Sequence, residues 1–376
     1  MKKKKMLVFH PVLAPYRIDH FNSLSAIFDL EVVFYLENMP SFNYDQYFLK
    51  SQCSFKISYL LLGFKITNRL FRFGIAHKII EAKPDYILSY EYSPTTHYLL
   101  MLRKTGILKQ KIGTSVDDNV EMCINPQTVT RKISRNSIIK KLDFVVLLSK
   151  EVAQFYNNEF NLSDNRIIIS PFLQSEERLR KNEVMLENIA SEYITKYNLK
   201  NKKVLLFIGR LVEEKGLKQF LTNIYNTIKN DSNLKIIIVG DGNEKENIEE
   251  FIKLNHLESS IILPGRFENI NLYPWYLCAS GFFLSSISEA FGAVINESLI
   301  FGLPVLCSKY AGATSLINSD NGIIFDPLDQ NDTIQKSKLF IDKILPVNKV
   351  NLTDKPSLMG NYGDQLNGEW SKLKEL

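Results

Sequence analysis

Short aliphatic and β-branched runs alternate with amphipathic stretches along this chain, in two series separated by a strandless polar segment. The first series is "MLVFH" (6–10), "LEVVFY" (30–35), "DYILSY" (85–90), "KIGTSV" (111–116), "DFVVLLS" (143–149) and "RIIIS" (166–170), with helical stretches over 17–27, 68–82 and 94–104. The second is "KVLLFIG" (203–209), "LKIIIVG" (234–240), "SIILPG" (260–265), "GFFLSS" (281–286), "PVLCS" (304–308) and "GIIF" (322–325). Runs this short and this apolar suit strands buried on both faces, and their alternation with helices predicts parallel sheets with crossover helices. The segment 174–203 is polar and helical without a strand, so it reads as a linker (174–185) and the opening helix of a second unit. The expected class is therefore α/β, with two doubly wound domains over 1–173 and 186–354. Ligands of such sheets bind beyond the carboxyl ends of the strands, which points to the cleft between the two domains.

The 376 residues can bury two cores, and 45% hydrophobic with 23% charged residues fits an ordinary globular chain. Four widely spaced cysteines (Cys53, Cys123, Cys278, Cys307) form no CxxC or Cys/His cluster, so reduced thiols in a cytoplasmic protein are expected. The basic start has an apolar run only from Met6 to Phe9, too short for a secretory signal, and "FVVLL" (144–148) is far too short to span a bilayer. The net charge of +5 is unevenly placed. To residue 190 there are 26 Lys+Arg against 19 Asp+Glu, and beyond it 20 against 22. The excess gathers on expected helices, at Lys65, Arg69 and Arg72 and again at Arg131, Lys132, Arg135, Lys140 and Lys141. Solvated helix faces and docking to an anionic leaflet both account for it. No recognition motif accompanies the charge, which argues against nucleic acid.

Four strand-to-helix junctions of the second half carry the chemistry. In "FIGRLVEEKGLKQFL" (207–221), Gly209 permits a tight turn, and Arg210 and Lys215 can join a helix N-terminus in gripping a diphosphate. Ordinary surface charge is the plain alternative. "IIIVGDGNEKENIEE" (236–250) offers Gly240 and Gly242, where a ligand can approach the backbone. In "SEAFGAVINESLIFGLPVL", Gly292 turns the chain into a helix expected over 293–301, ended by Gly302 and Pro304. Glu289 then lies in the loop above the strand and Glu297 on the helix; a loop acid and a solvent-facing acid are the alternative. "SKYAGATSLI" (308–317) supplies the fourth junction, with Gly312 at the turn.

Taken in order, "GRLVEEKG", "VGDG", "SEAFGAVINES", "GLPVL" and "NGIIFDPLD" resemble the retaining GT-B glycosyltransferases of family 4, strongly over 203–330 and loosely before. Glu289 and Glu297 match that family's E-x7-E signature. The resemblance implies GT-B architecture, two Rossmann-like domains facing across a cleft. It also implies a C-terminal tail (about 355–376) packing back on the first domain, with Trp370 and Leu373 as anchors. Arg210 and Lys215 would hold the donor diphosphate. Glu289 would contact the donor sugar, and Glu297 the ribose. Phe291, Gly292, Ala293 and Val294 would offer backbone N–H groups, while Gly209, Gly240, Gly242 and Arg266 would lie along the nucleotide. Because cations do the work of a metal in this fold, no metal or cofactor is expected. On the first-domain side, "HPVLAPYRIDHFNSL" (10–24), "SYEYSPTTHYLL" (89–100) and "TSVDDN" (114–119) put Arg17, Asp19, His97 and Asp117 forward. Asp117 is preferred near the reacting sugar, while a packed or solvated helix histidine also explains His97. His10 could face the cleft or cap the sheet, and His20, His77 and His256 are assigned to structure or surface. Two departures stand out: Ser298 where Ala is common, and Ser315 where an acid is common, in a turn one glycine shorter.

The expectation is a metal-independent transferase that moves a sugar from a nucleotide-sugar donor to a glycan or lipid-linked acceptor in cell-surface polysaccharide synthesis. It would work in the cytoplasm or at the inner membrane face. A nucleotide-sugar 2-epimerase and a catalytically inactive partner subunit of the same architecture are the alternatives. An exported two-domain binding protein would need a signal that is not found.

Overall fold

The computed structural model describes residues 3–39, 43–67, 69–125, 128–348, 350–360 and 369–375. The chain divides into two compact units, Met1–Leu173 with Asn361–Leu376, and Gln174–Gly360.

The first unit contains β1 (Lys5–His10), β2 (Asp29–Phe34), β3 (Lys56–Tyr59), a hairpin of β4 (Gly63–Ile66) and β5 (Arg69–Arg72), then β6 (Tyr86–Tyr90), β7 (Lys111–Ser115), β8 (Phe144–Leu147) and β9 (Ile167–Ile169). Seven of these form one parallel sheet in the order β3-β2-β1-β6-β7-β8-β9. The order reverses between β1 and β6, so the loops after His10 and Tyr90 flank the crevice where such sheets take ligands. Apolar side chains fill both faces of the sheet. One of the two clusters is completed by the far end of the chain: Trp370 and Leu373 are fully buried among Phe21, Phe28 and Tyr86, whose hydroxyl donates to the Leu373 carbonyl at 2.8 Å. Glu369 accepts the backbone N–H of Ile169 at 3.1 Å, which occupies a donor of the edge strand β9.

One expected helix is corrected. Residues 68–82 do not form a single helix: Arg69–Arg72 is a strand paired with Gly63–Ile66, and the helix begins at Ile75. Gly74, in the left-handed region at φ 88°, separates the two. Lys65, Arg69 and Arg72 therefore sit on a β-hairpin rather than on helices.

The second unit contains β10 (Lys203–Ile208), β11 (Leu234–Val239), β12 (Ile261–Gly265), β13 (Gly281–Leu284), β14 (Val305–Ser308) and β15 (Gly322–Phe325). They form a parallel sheet in the order β12-β11-β10-β13-β14-β15, reversing between β10 and β13. The segment 174–185 belongs to this unit and includes a short helix, Glu176–Arg180, capped by Ser175. No helix among the described residues is long and apolar enough to cross a membrane.

Candidate functional site

In the second unit the four glycine-bearing loops leave the carboxyl ends of β10, β11, β13 and β14, which are neighbours in the sheet. They are stitched to one another by backbone hydrogen bonds. Gly209 N–H donates to Val239 O (3.0 Å) and Leu211 N–H to Asp241 O (2.9 Å). Ile287 N–H donates to Glu214 O (2.9 Å), and Gly312 N–H to Glu289 O (3.2 Å). The glycines serve this stitching. A Cβ on Gly240 would stand 1.9 Å from the Gly209 carbonyl oxygen, one on Gly242 2.2 Å from that of Leu211, and one on Gly312 2.2 Å from that of Ala290. At Gly240 and Gly242, then, the backbone that approaches closely belongs to the neighbouring loop.

On this platform Lys215 and Glu289, 74 residues apart in sequence, form an ion pair between Nζ and Oε2 with both side chains largely covered. Ser285 holds the turn beneath by donating to the Lys215 carbonyl at 2.8 Å. Arg210 is exposed earlier in the loop that carries Lys215 and makes no ion pair among the described residues. Gly292, at φ 90°, starts the helix Ala293–Ile300, ended by Gly302 at φ 71°. The first N–H groups of that helix, at Ala293 and Val294, have no acceptor within it, and both residues are partly exposed. Phe291 is buried.

Glu297, on the same helix, points into the protein. It is only 8% exposed; Tyr276 Oη donates to its Oε2 at 2.5 Å and Gln174 Nε2 donates to its Oε1. Burial raises its carboxyl above the usual range, against the opposing effect of these two donors. Glu297→Ala would leave the fully buried Tyr276 hydroxyl without its acceptor, so it should destabilise the second unit by about 1–3 kcal/mol, and Glu297→Gln by less. Urea unfolding of the two variants checks this; unchanged midpoints would mean the contacts hold nothing in place. Arg266 pairs with Glu268.

In the first unit a second cluster sits at the reversal of the sheet. Arg17 follows β1, is 1% exposed, and pairs through Nη2 with Asp117 while its guanidinium lies 4.0 Å from the ring centre of Phe172. Tyr90 Oη donates to Asp117 Oδ2 at 3.0 Å. Asp117 Oδ1 and Arg17 Nε and Nη1 have no hydrogen-bond partner among the described residues. Burial lifts Asp117 from 3.8 to about 6, with Arg17 pulling the other way. The fold thus favours the protonated acid, so its contribution to stability is full below the unfolded value and is lost as pH rises through about 6.

Tyr90, Glu91 and Arg131 were not singled out from the sequence as functional candidates. Glu91, directly after β6, holds φ 48°, a conformation costing about 1–2 kcal/mol for a residue with a side chain. Its carbonyl accepts from Thr96 (2.8 Å) and Thr114 (2.7 Å), and Arg131 meets both its carboxylate oxygens (2.6 and 3.2 Å) and Asp118 (2.6 Å). Arg131 thereby ties down the loop that carries Asp117. The available signal was Glu91's place directly beyond a strand end. His10 and His20 border this cluster through Tyr90 and Phe172. Asp19 is in the first turn of the helix Ile18–Ile27, and His97 is half-buried on Pro94–Lys104, its proton affinity lowered by burial and then by Arg69 and Lys141. His10 is buried, its Nδ1 3.0 Å from Val12 O and its ring edge-on to Tyr90. His20 is buried beside Trp370.

Residues 190–348 match the family described as Glycosyl transferases group 1. Over 241 residues the chain is 29% identical to the N-acetylgalactosamine-N,N'-diacetylbacillosaminyl-diphospho-undecaprenol 4-alpha-N-acetylgalactosaminyltransferase of Campylobacter jejuni, covering 63% of this chain and 64% of that one. It is 25% identical to the 2-deoxystreptamine N-acetyl-D-glucosaminyltransferase of Niallia circulans over 44% of this chain and 43% of that one. The chain thus spans less than two thirds of the length of these curated relatives. Among solved structures, a glycosyltransferase from Rickettsia africae ESF-5 is similar over 100% of both chains, with TM-score 0.72 and 17% identity. Anabaena Alr3699/HepE in complex with UDP is similar over 99% of this chain and 100% of that one, with TM-score 0.69 and 13% identity. At these identities the likeness shows the fold: two Rossmann-like units of the GT-B kind.

Proposed function

We propose that this chain transfers a sugar from a nucleotide-sugar donor to a hydroxyl of a glycan or lipid-linked acceptor in cell-surface polysaccharide synthesis, with retention of configuration and without a metal ion. The observation that carries the reading is the pairing of Lys215 with Glu289 at the sheet reversal of the second unit, beside the exposed Arg210 and the N-terminus of Ala293–Ile300. Positive groups arranged in advance around a leaving diphosphate supply charge stabilisation where charge develops, the role a divalent cation plays elsewhere. Glu289, drawn towards Lys215, would meet a sugar hydroxyl. Glu297 would meet the ribose only by exchanging one of its two present donors, so we assign it chiefly to holding the helix that carries Ala293 and Val294.

In the first unit we assign the acceptor hydroxyl to Asp117, whose Oδ1 has no other partner among the described residues, and its positioning to Arg17 and Tyr90. With Asp117 raised to about 6, kcat/KM should climb with pH to a plateau above an apparent pKa near 6. Asp117→Asn should lose most activity together with that acid limb; a variant that keeps the limb removes Asp117 from the chemistry.

The reading is tested by incubating the chain with a panel of nucleotide sugars in excess chelator and measuring nucleotide release and sugar retained. Release that survives chelation supports it. Epimerised sugar nucleotide formed without acceptor would replace it with a 2-epimerase. No reaction and no binding of any donor would replace it with an inactive subunit.

A further inference from the structure

Three elements of the first unit adjoin on its surface: the β4–β5 hairpin packs on the helix Pro94–Lys104, which packs on the helix Val129–Ile138. The hairpin's register gives it two unlike faces. Lys65 and Leu70 are cross-strand partners on one face, as are Gly63 and Arg72. That face anchors the ribbon, since Leu70 packs against the core and Arg72 donates to the Tyr35 carbonyl at 2.9 Å. The other face carries Phe64 opposite Phe71 and Ile66 opposite Arg69, extended by Leu62 and Phe73. There the rings of Phe64 and Phe71 stack at 5.0 Å, with Phe73 at 5.9 Å. Yet Leu62 is 79% exposed, Phe64 47%, Ile66 55% and Phe73 61%. An outward ribbon face built of leucine, isoleucine and phenylalanine reverses the usual alternation of a sheet that meets water. Beyond it Met101, Val129 and Ile133 are exposed on the two helices.

The charge on these elements has one sign. Residues 51–80, 92–116 and 122–142 contain no Asp or Glu at all, whereas Lys65, Arg69, Lys132, Lys140 and Lys141 lie among them. Arg69 and Lys141 come close enough to bear on the same imidazole, that of His97. An apolar ribbon bordered by cations alone fits a bilayer, whose interior takes the side chains and whose acidic headgroups take the charge. A second copy of the chain would bring like charges together.

We infer that this face docks on an anionic lipid bilayer, with Leu62, Phe64, Ile66 and Phe73 entering the interface and Arg69, Lys132 and Lys141 meeting the headgroups. This does not depend on the transfer reaction, because vesicle binding is read without donor or acceptor. The full chain should co-sediment with phosphatidylcholine vesicles containing phosphatidylglycerol at least about ten-fold more strongly than with phosphatidylcholine alone, and less as salt screens the contact. Phe64→Ser with Ile66→Ser should weaken binding to the mixed vesicles by about ten-fold or more. Arg69→Glu with Lys132→Glu should abolish the preference for the anionic lipid. All four substitutions should leave the thermal midpoint in place, because Phe64, Ile66 and Lys132 are exposed and Arg69 borders the open face. No binding of the parent chain to mixed vesicles, or equal binding by the Phe64/Ile66 variant, overturns the inference. So does a dimer seen by light scattering that the same variant dissolves while vesicles bind nothing; the face would then belong to a second copy.

Discussion

Lys215→Ala should lower kcat by about 10²–10³-fold, the range found when one preorganised donor is removed from a charged transition state, while the chain stays folded. The ammonium is held in place before any substrate arrives: its turn is fixed through Ser285, and its charge is already directed by Glu289. An interaction prepared in this way gains most when the diphosphate takes on charge, so the loss should appear in kcat more than in KM. Arg210→Ala should behave similarly, but with a larger share in KM, because this exposed side chain has more freedom to lose on binding. Steady-state kinetics paired with urea unfolding separates the two parameters. If both single variants turn over like the parent, the diphosphate grip is wrongly assigned.

Trp370→Ala should destabilise the first unit by about 3–5 kcal/mol, the cost of replacing a large fully buried side chain by a methyl group. The indole lies 5.5 Å from the His20 ring and belongs to the same cluster as Phe21, Phe28 and Tyr86, none of which has room to collapse into the space it would leave. Leu373 is buried in the same cluster, so removing the last segment altogether should cost more. Denaturant unfolding should show the early shift confined to first-unit probes such as near-ultraviolet signals of its tyrosines. A Trp370→Ala chain with an unshifted transition would mean that the tail contributes little.

Most strands could be read from residues alone because parallel strands covered on both faces appear as unbroken apolar runs, as "LLF" at 205–207 does. The helix Ala293–Ile300 was equally legible, since a left-handed glycine stands at each end of it. The hairpin was not. Its two strands are four residues each, and its outer apolar residues mimic a helical stripe that runs on into the true helix at Ile75. The edge strand β3 carries no such signal, because "KISY" has polar residues on a part-covered edge. At the site, the motifs and the resemblance they carry singled out Lys215, Glu289, Arg17 and Asp117, but not how they pair. The pairings depend on which strands are neighbours: β10 beside β13 brings Lys215 to Glu289, and β6 beside β7 brings Tyr90 to Asp117. Glu297 shows the opposite limit. Its spacing from Glu289 was plain, yet only the packed structure reveals Tyr276 and Gln174 waiting for its oxygens.

The first unit is interrupted in sequence: its main body ends at Leu173, and its last core residues come only after the whole second unit. A ribosome adding about 5–20 residues per second needs roughly 10–40 s to travel from Leu173 to Trp370. Throughout that interval the seat of the indole, lined by Phe21, Phe28 and Tyr86, waits without its plug. The second unit is contiguous and can complete itself first. Order of synthesis is therefore not order of completion: the part of the chain that is made first is the part that is finished last.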